Sequence, residues 1–125
     1  MRKPKPPLEH EVQRAVIALY RVAGCHVYST SPGRRGGTWS TPGIPDLDVF
    51  CPKLGAELIR LNGDWTRWWF AGHWRHETKR PKLGRTSEAQ KQFKRVAADC
   101  GVIVVVGGVV EAVAHLRALG LVATP

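Results

Sequence analysis

The chain of 125 residues reads as one three-layer α/β (α+β) domain, a mixed central sheet flanked by helices, in the order α-β-β-(hairpin)-β-α-β-α. Three observations lead there. Residues 8–23 and 86–100 repeat apolar side chains at three- and four-residue steps, which marks helices with one buried stripe. Residues 102–106 are five consecutive apolar, mostly β-branched residues, which marks a strand covered on both faces beside a parallel neighbour. Between these lie shorter strand-like runs punctuated by Gly, Pro and an Asn-Gly pair. A domain of this length buries roughly two-thirds of its unfolded surface, enough for one core without staples.

Taken in order, residues 1–7 are basic and Pro-rich and are expected to form a flexible arm, with the folded domain spanning 8–125. The first helix places Leu8, Val12, Ala15, Val16, Leu19 and Ala23 on its apolar stripe, and Gly24 stops it. Residues 25–29 form a short strand. Residues 31–43, dense in Gly, Pro, Ser and Thr, form a loop. A second strand spans 44–50, and 56–72 holds a hairpin turning at Asn62-Gly63. Residues 74–80 form the third core strand and 81–85 a basic loop. The helix over 86–100 opens with Ser87 and Gln90 in capping-box spacing and turns Ala89, Phe93, Val96, Ala97 and Cys100 inward. Gly107-Gly108 then leads from the apolar strand into a last helix over 109–119.

Nineteen Lys and Arg against ten Asp and Glu leave a net charge of +9, with a pI near 10.1. That balance suits a polyanionic partner. A basic helix with a broad apolar face is missing from the pattern, so nucleic acid is expected rather than a membrane. The longest apolar run is too short to span a bilayer, and no apolar segment follows Met1-Arg2-Lys3. A cytoplasmic location is expected. Cys25, Cys51 and Cys100 lie far apart without a C-x-x-C pair, so they are expected to be reduced and buried. Zinc held by Cys51, His73 and His76 is the weaker alternative, because structural zinc sites use four ligands with a short-spaced pair.

The chemistry-bearing residues sit on the strands. Alternation puts Glu77 and Lys79 on one face of the strand 74–80, with Trp74, His76 and Thr78 on the other. A carboxylate there can hold a divalent cation while an ammonium sits by a water or a phosphate. Alone, the pair is most often a solvated ion pair. Gly43-Ile44-Pro45-Asp46 adds a second carboxylate at the mouth of the preceding strand, where antiparallel pairing would bring it beside Glu77. Two such carboxylates repel unless a cation lies between them, and Mg²⁺ is bound through one or two carboxylates with water and phosphate completing the shell.

These pieces in order resemble the PD-(D/E)XK nuclease pattern, and more narrowly the VRR-NUC family in its stand-alone, phage or bacterial form. They are Glu9-His10-Glu11-Val12-Gln13, Arg34-Arg35-Gly36-Gly37-Thr38, Gly43-Ile44-Pro45-Asp46-Leu47, Glu77-Thr78-Lys79 and Gly84-Arg85-Thr86-Ser87-Glu88-Ala89-Gln90 with Phe93. The resemblance implies a restriction-endonuclease-like fold and a Mg²⁺-dependent DNA endonuclease, with Mn²⁺ able to substitute. It implies Asp46 and Glu77 as metal ligands with the Thr78 carbonyl as a third, Lys79 at the attacking water, Glu9 as a helix carboxylate near the metal and Gln90 reaching Lys79 or substrate. It also implies branched DNA such as a Holliday junction as substrate and a homodimer as the working form. Arg34, Arg35, Arg80, Lys82 and Arg85 are expected to contact phosphates.

Alternatives stay open at this level. Glu11 competes with Glu9, and Asp48 is either a second metal ligand or a solvated strand residue. The interval of 31 residues between Asp46 and Glu77 is long for the pattern. Its Trp65, Trp68 and Trp69 suit core packing, a dimer interface or base stacking. A non-catalytic nucleic-acid-binding module, or a flap or nicking nuclease, could use the same fold. DNA affinity, followed by fluorescence anisotropy, is expected to fall about 10³–10⁵-fold between roughly 50 and 200 mM salt for about six to ten phosphate contacts. A flat profile would show that the basic residues are not the DNA footprint.

Overall fold

The computed structural model describes residues 5–30, 43–54, 57–61, 64–69, 72–81 and 84–123. The elements are α1 (Glu9–Val22), β1 (His26–Ser29), β2 (Leu47–Phe50), β3 (Glu57–Leu61), β4 (Asp64–Trp69), β5 (His73–Thr78), α2 (Glu88–Asp99), β6 (Val104–Gly107) and α3 (Val109–Ala118). This is the expected order, hairpin included. The main sheet runs β1-β2-β5-β6, antiparallel across its first three strands and parallel between β5 and β6. β3 and β4 pair in a separate two-stranded sheet. The turn residues Asn62-Gly63 lie outside the described residues.

Strand alternation sorts the sheet into two faces. Val27, Leu47, Val49 and Trp74 turn to one side, where they join Val12, Val16 and Tyr20 of α1 and Ala112 and Leu116 of α3 in a continuous core. Each large apolar side chain removed from water there contributes about 1.5–3 kcal/mol. On the opposite face α2 lies over β5 and β6, with Gln90 bonded to Glu77 and the Phe93 ring under the Arg75 guanidinium. Helices on both faces of a mixed sheet make the expected three layers.

Several expectations shift, each for a packing reason. α2 leans on the β6 side of the sheet along a narrow line. Of its predicted inward residues Ala97 is buried, Ala89 and Phe93 are half-buried, and Val96 and Cys100 are exposed. Cys25 and Cys51 are buried as expected. The residues of 102–106 are half-buried rather than fully covered, because β6 is the edge strand. β2 begins at Leu47, not residue 44, and α1 leaves Leu8 and Ala15 exposed. Pro7, placed in the expected arm, is tied down by its carbonyl, which accepts from Arg80 Nε at 2.9 Å. The helices described are too short and too polar to cross a membrane.

A buried polar link fastens β5 to the helix layer. His76 Nε2 faces the Gly107 carbonyl at 2.9 Å and Nδ1 faces the Tyr20 hydroxyl at 2.6 Å. A carbonyl can only accept, so the ring proton sits on Nε2 and Nδ1 accepts from Tyr20. Burial holds the His76 imidazole below its usual range, against the opposing pull of the Gly107 bond and of the Asp46 and Glu111 carboxylates. The neutral ring therefore joins α1, β5 and the end of β6. Tyr20→Phe keeps the edge contacts of the ring with Trp74 and His76 but strands Nδ1 without a donor. Urea unfolding is expected to show a loss of about 1–3 kcal/mol with an unchanged slope. An unshifted midpoint would mean that the link contributes nothing.

Candidate active site

The carboxylates meet because of strand register. β2 and β5 pair with Leu47 opposite His76 and Val49 opposite Trp74. One step beyond Leu47, Asp46 comes alongside Glu77, and the Thr78 N–H donates to Asp46 Oδ1 at 2.8 Å. Entry to β2 is set by Gly43, whose φ of 91° lies in the left-handed region that favours glycine. A side chain there would also collide with the backbone of Ala89 and Gln90 at the start of α2. The chain leading to Asp46 therefore lies directly against the helix that carries Gln90.

Each carboxylate is held by an amide. Gln13 Nε2, on α1, donates to Asp46 Oδ2 at 2.7 Å. Gln90 Nε2 donates to Glu77 Oε1, also at 2.7 Å. Gln90 serves twice, since its Oε1 accepts from the Ser87 N–H at 2.9 Å while its own N–H donates to Ser87 Oγ at 3.1 Å. The predicted capping box thus starts α2 and orients the amide toward Glu77 with the same side chain. Lys79 lies just past the end of β5, and its N–H still bonds to the Gly107 carbonyl at 2.9 Å, which prolongs the ladder by one residue. Its Nζ stands 3.7 Å from Glu77 Oε1.

Glu9, His10, Gln13, Asp46 and Glu77 line a cleft of about 260 Å³. Glu11, in the first turn of α1, turns back to accept from the N–H of the N-cap residue Leu8 at 3.1 Å. Glu77 is buried, and its Oε2 has no hydrogen-bond partner among the described residues. Burial pushes its carboxyl up to about 7, the Asp46 and Glu9 charges push the same way, and Lys79 opposes them. A desolvated carboxylate oxygen left unpaired beside a second carboxylate is the condition that a divalent cation relieves. The donor set is all oxygen, which suits Mg²⁺ or Mn²⁺ rather than zinc. Among the described residues no three His, Cys, Asp or Glu side chains form a ready-made metal cluster. The site offers a carboxylate pair, with Glu9 at the rim.

The remaining predicted residues fall as follows. Asp48 shares the Glu77 face but is drawn into an ion pair with Arg75 Nε at 3.1 Å and a contact with His73 Nε2 at 3.1 Å. It is neither turned to the cleft nor freely solvated. His73 and His76 are thus both engaged elsewhere, which removes the zinc alternative with Cys51. Arg85 is exposed, and Arg80 is half-buried and bonded to Pro7. Arg34, Arg35 and Lys82 lie outside the described residues, and so do the side chains of Trp65, Trp68 and Trp69. Trp74 is fully buried in the core. Sequence reasoning missed the Gln13 contact with Asp46. The available signal was Gln13 lying four residues after Glu9, one helical turn along the same face.

No family model and no curated protein matches the sequence. A solved structure described as a VRR_NUC domain is similar to this chain over 88% of its residues and 94% of the other chain, with 22% identity and a TM-score of 0.57. At that identity the likeness is one of fold: the chain shares its three-layer architecture with that VRR_NUC domain structure.

Proposed function

We propose that this protein is a metal-dependent nuclease that hydrolyses phosphodiester bonds in DNA, with Asp46 and Glu77 as the metal-holding carboxylates. One observation carries the reading. Asp46 and Glu77 line one cleft, Lys79 Nζ stands 3.7 Å from Glu77 Oε1, and the buried Glu77 Oε2 has no hydrogen-bond partner among the described residues. Structural ion pairs rarely leave such an oxygen unpaired, because a buried acceptor without a donor is costly. Mg²⁺ or Mn²⁺ held there supplies charge neutralisation at the phosphate and lowers the pKa of an associated water.

The protein's own residues do the rest. Gln13 and Gln90 fix the two carboxylate rotamers while leaving their negative charge uncancelled. Lys79 places a positive charge beside Glu77, where it can orient the attacking water and stabilise charge on the phosphate oxygens. Water adds to phosphorus as the bond to the leaving 3′ oxygen breaks, giving 5′-phosphate and 3′-hydroxyl ends. Glu9 adds negative potential at the cleft rim, and the Thr78 carbonyl is the proposed third oxygen ligand. Arg80 and Arg85, with Arg34, Arg35 and Lys82, are the proposed phosphate contacts. Branched DNA cut by a homodimer is the proposed substrate and working form, supported by the motif resemblance to stand-alone VRR-NUC proteins.

Lys79→Ala is expected to lower cleavage by about 10²–10³-fold while DNA binding persists. The assay incubates wild type and variant with linear duplex, flap, single-stranded and four-way-junction DNA, in Mg²⁺ and in EDTA. Near wild-type cutting by the variant, or equal cutting in EDTA, would sink the metal-and-lysine mechanism. A proton and a cation also compete for Glu77. The Mg²⁺ concentration giving half-maximal cleavage is therefore expected to rise as pH falls below about 7. A Mg²⁺ requirement independent of pH between about 6 and 8 would show that Glu77 is not a ligand.

A further inference from the structure

The sheet face that carries Glu77 continues along the same strands, and its character changes. Down β5 from Glu77 come Arg75 and then His73. Down β2 from Asp46 come Asp48 and then Phe50, paired directly with His73. β1 adds Tyr28, opposite Asp48. α2 leaves this end of the face open, with Tyr28 60% and Phe50 39% exposed. The open side of an antiparallel sheet ordinarily carries polar side chains. Here it carries stacked rings: Phe50 lies on His73 with centroids 4.4 Å apart and planes 10° apart, and Tyr28 meets Phe50 edge-on at 5.8 Å.

Two further features narrow what such a surface fits. Arg75, the neighbouring cation, is neutralised by Asp48 and lies over the Phe93 ring, so the patch is nearly uncharged in a chain of net charge +9. It is suited to flat apolar groups rather than to phosphates. Four residues of strand separate Phe50 from Asp46, about 13 Å at roughly 3.3 Å per residue. A stacked strand of DNA covers that span in about four nucleotides at 3.4 Å each. Tyr28 and Phe50 leave about half exposed of the 150–250 Å² each such side chain can bury. That is well short of the roughly 800 Å² per partner that a stable dimer needs.

We propose that Tyr28, Phe50 and His73 form a stacking platform for unpaired bases of the DNA strand whose phosphate lies at Asp46 and Glu77, three to four nucleotides from the scissile bond. The position of the strand rests on the nuclease reading, and the platform itself does not require cleavage. It makes single-stranded tails and splayed junctions the favoured substrates, because a base must leave its pair before a ring can take its place.

The test measures equilibrium binding in EDTA, so that affinity is read without cutting, to blunt duplex and to the same duplex with single-stranded tails. Combining Tyr28→Ser with Phe50→Leu is expected to weaken tailed-DNA binding about ten-fold or more while blunt-duplex binding changes less than about two-fold. Phe50→Trp is expected to retain tail binding, because it preserves the stacking surface. Tyr28→Ser alone, at a largely exposed position, keeps the test informative if the double variant folds poorly. Equal weakening on both DNAs, or none on either, would overturn the platform. So would a wild-type sedimentation mass that halves in the double variant, since the rings would then cover a second copy. Tail-selective binding by a wild type that never cleaves in Mg²⁺ would leave the platform standing and remove the nuclease reading.

Discussion

In the pairing of β2 with β5, Leu47 lies opposite His76 and Val49 opposite Trp74, and the candidate site hangs on that register. Strand side chains alternate with a period of two, so a slip of one residue would turn Glu77 into the core and His76 toward the cleft. The opposite face prevents the slip. Leu47, Val49, Trp74 and His76 are fully buried there, and each would have to be exchanged for a polar neighbour. The neutral His76 link to Tyr20 and Gly107 adds a directional constraint that apolar packing lacks. Stability and site geometry are thus two faces of the same strands.

The electrostatics of the cleft depend on which donors approach the acids. Asp46 and Glu77 receive neutral amide N–H groups from Gln13 and Gln90 and a backbone N–H from Thr78. Amides orient a carboxylate without cancelling its charge, and Lys79 stands off at 3.7 Å rather than closing a tight pair. Burial, with the Asp46 charge beside it, therefore outweighs the pull of Lys79 and raises Glu77 to about 7. Asp48 shows the opposite arrangement two residues along the same face. There Arg75 and His73 surround the carboxylate and consume its charge. Similar acids on one strand face acquire different characters from their partners alone.

Much of the fold was legible because periodicity and punctuation are local properties. Val12 and Val16 on the α1 stripe, the capping pair Ser87 and Gln90, and the order of the elements follow from residues within one or two turns of each other. The α2 stripe shows the limit. Val96 and Cys100 have the spacing of core residues, yet they are exposed because α2 touches the sheet along a narrow line. Spacing reports which way a side chain points, and the neighbouring element decides whether anything lies there to cover it.

By itself the sequence determined the three-layer architecture, the basic surface charge and the alternation that sets Glu77 and Lys79 on one face, since each depends on nearby residues or on plain composition. Only the tertiary structure decided that Asp46 stands beside Glu77, that Gln13 rather than a more distant group holds Asp46, that Glu11 is spent on a helix cap while Glu9 reaches the cleft, and that Asp48 is consumed by Arg75. The physical reason is that these contacts join positions tens of residues apart. Strand register and helix docking create them, and no local pattern encodes the distance between two side chains that meet only when the chain has folded.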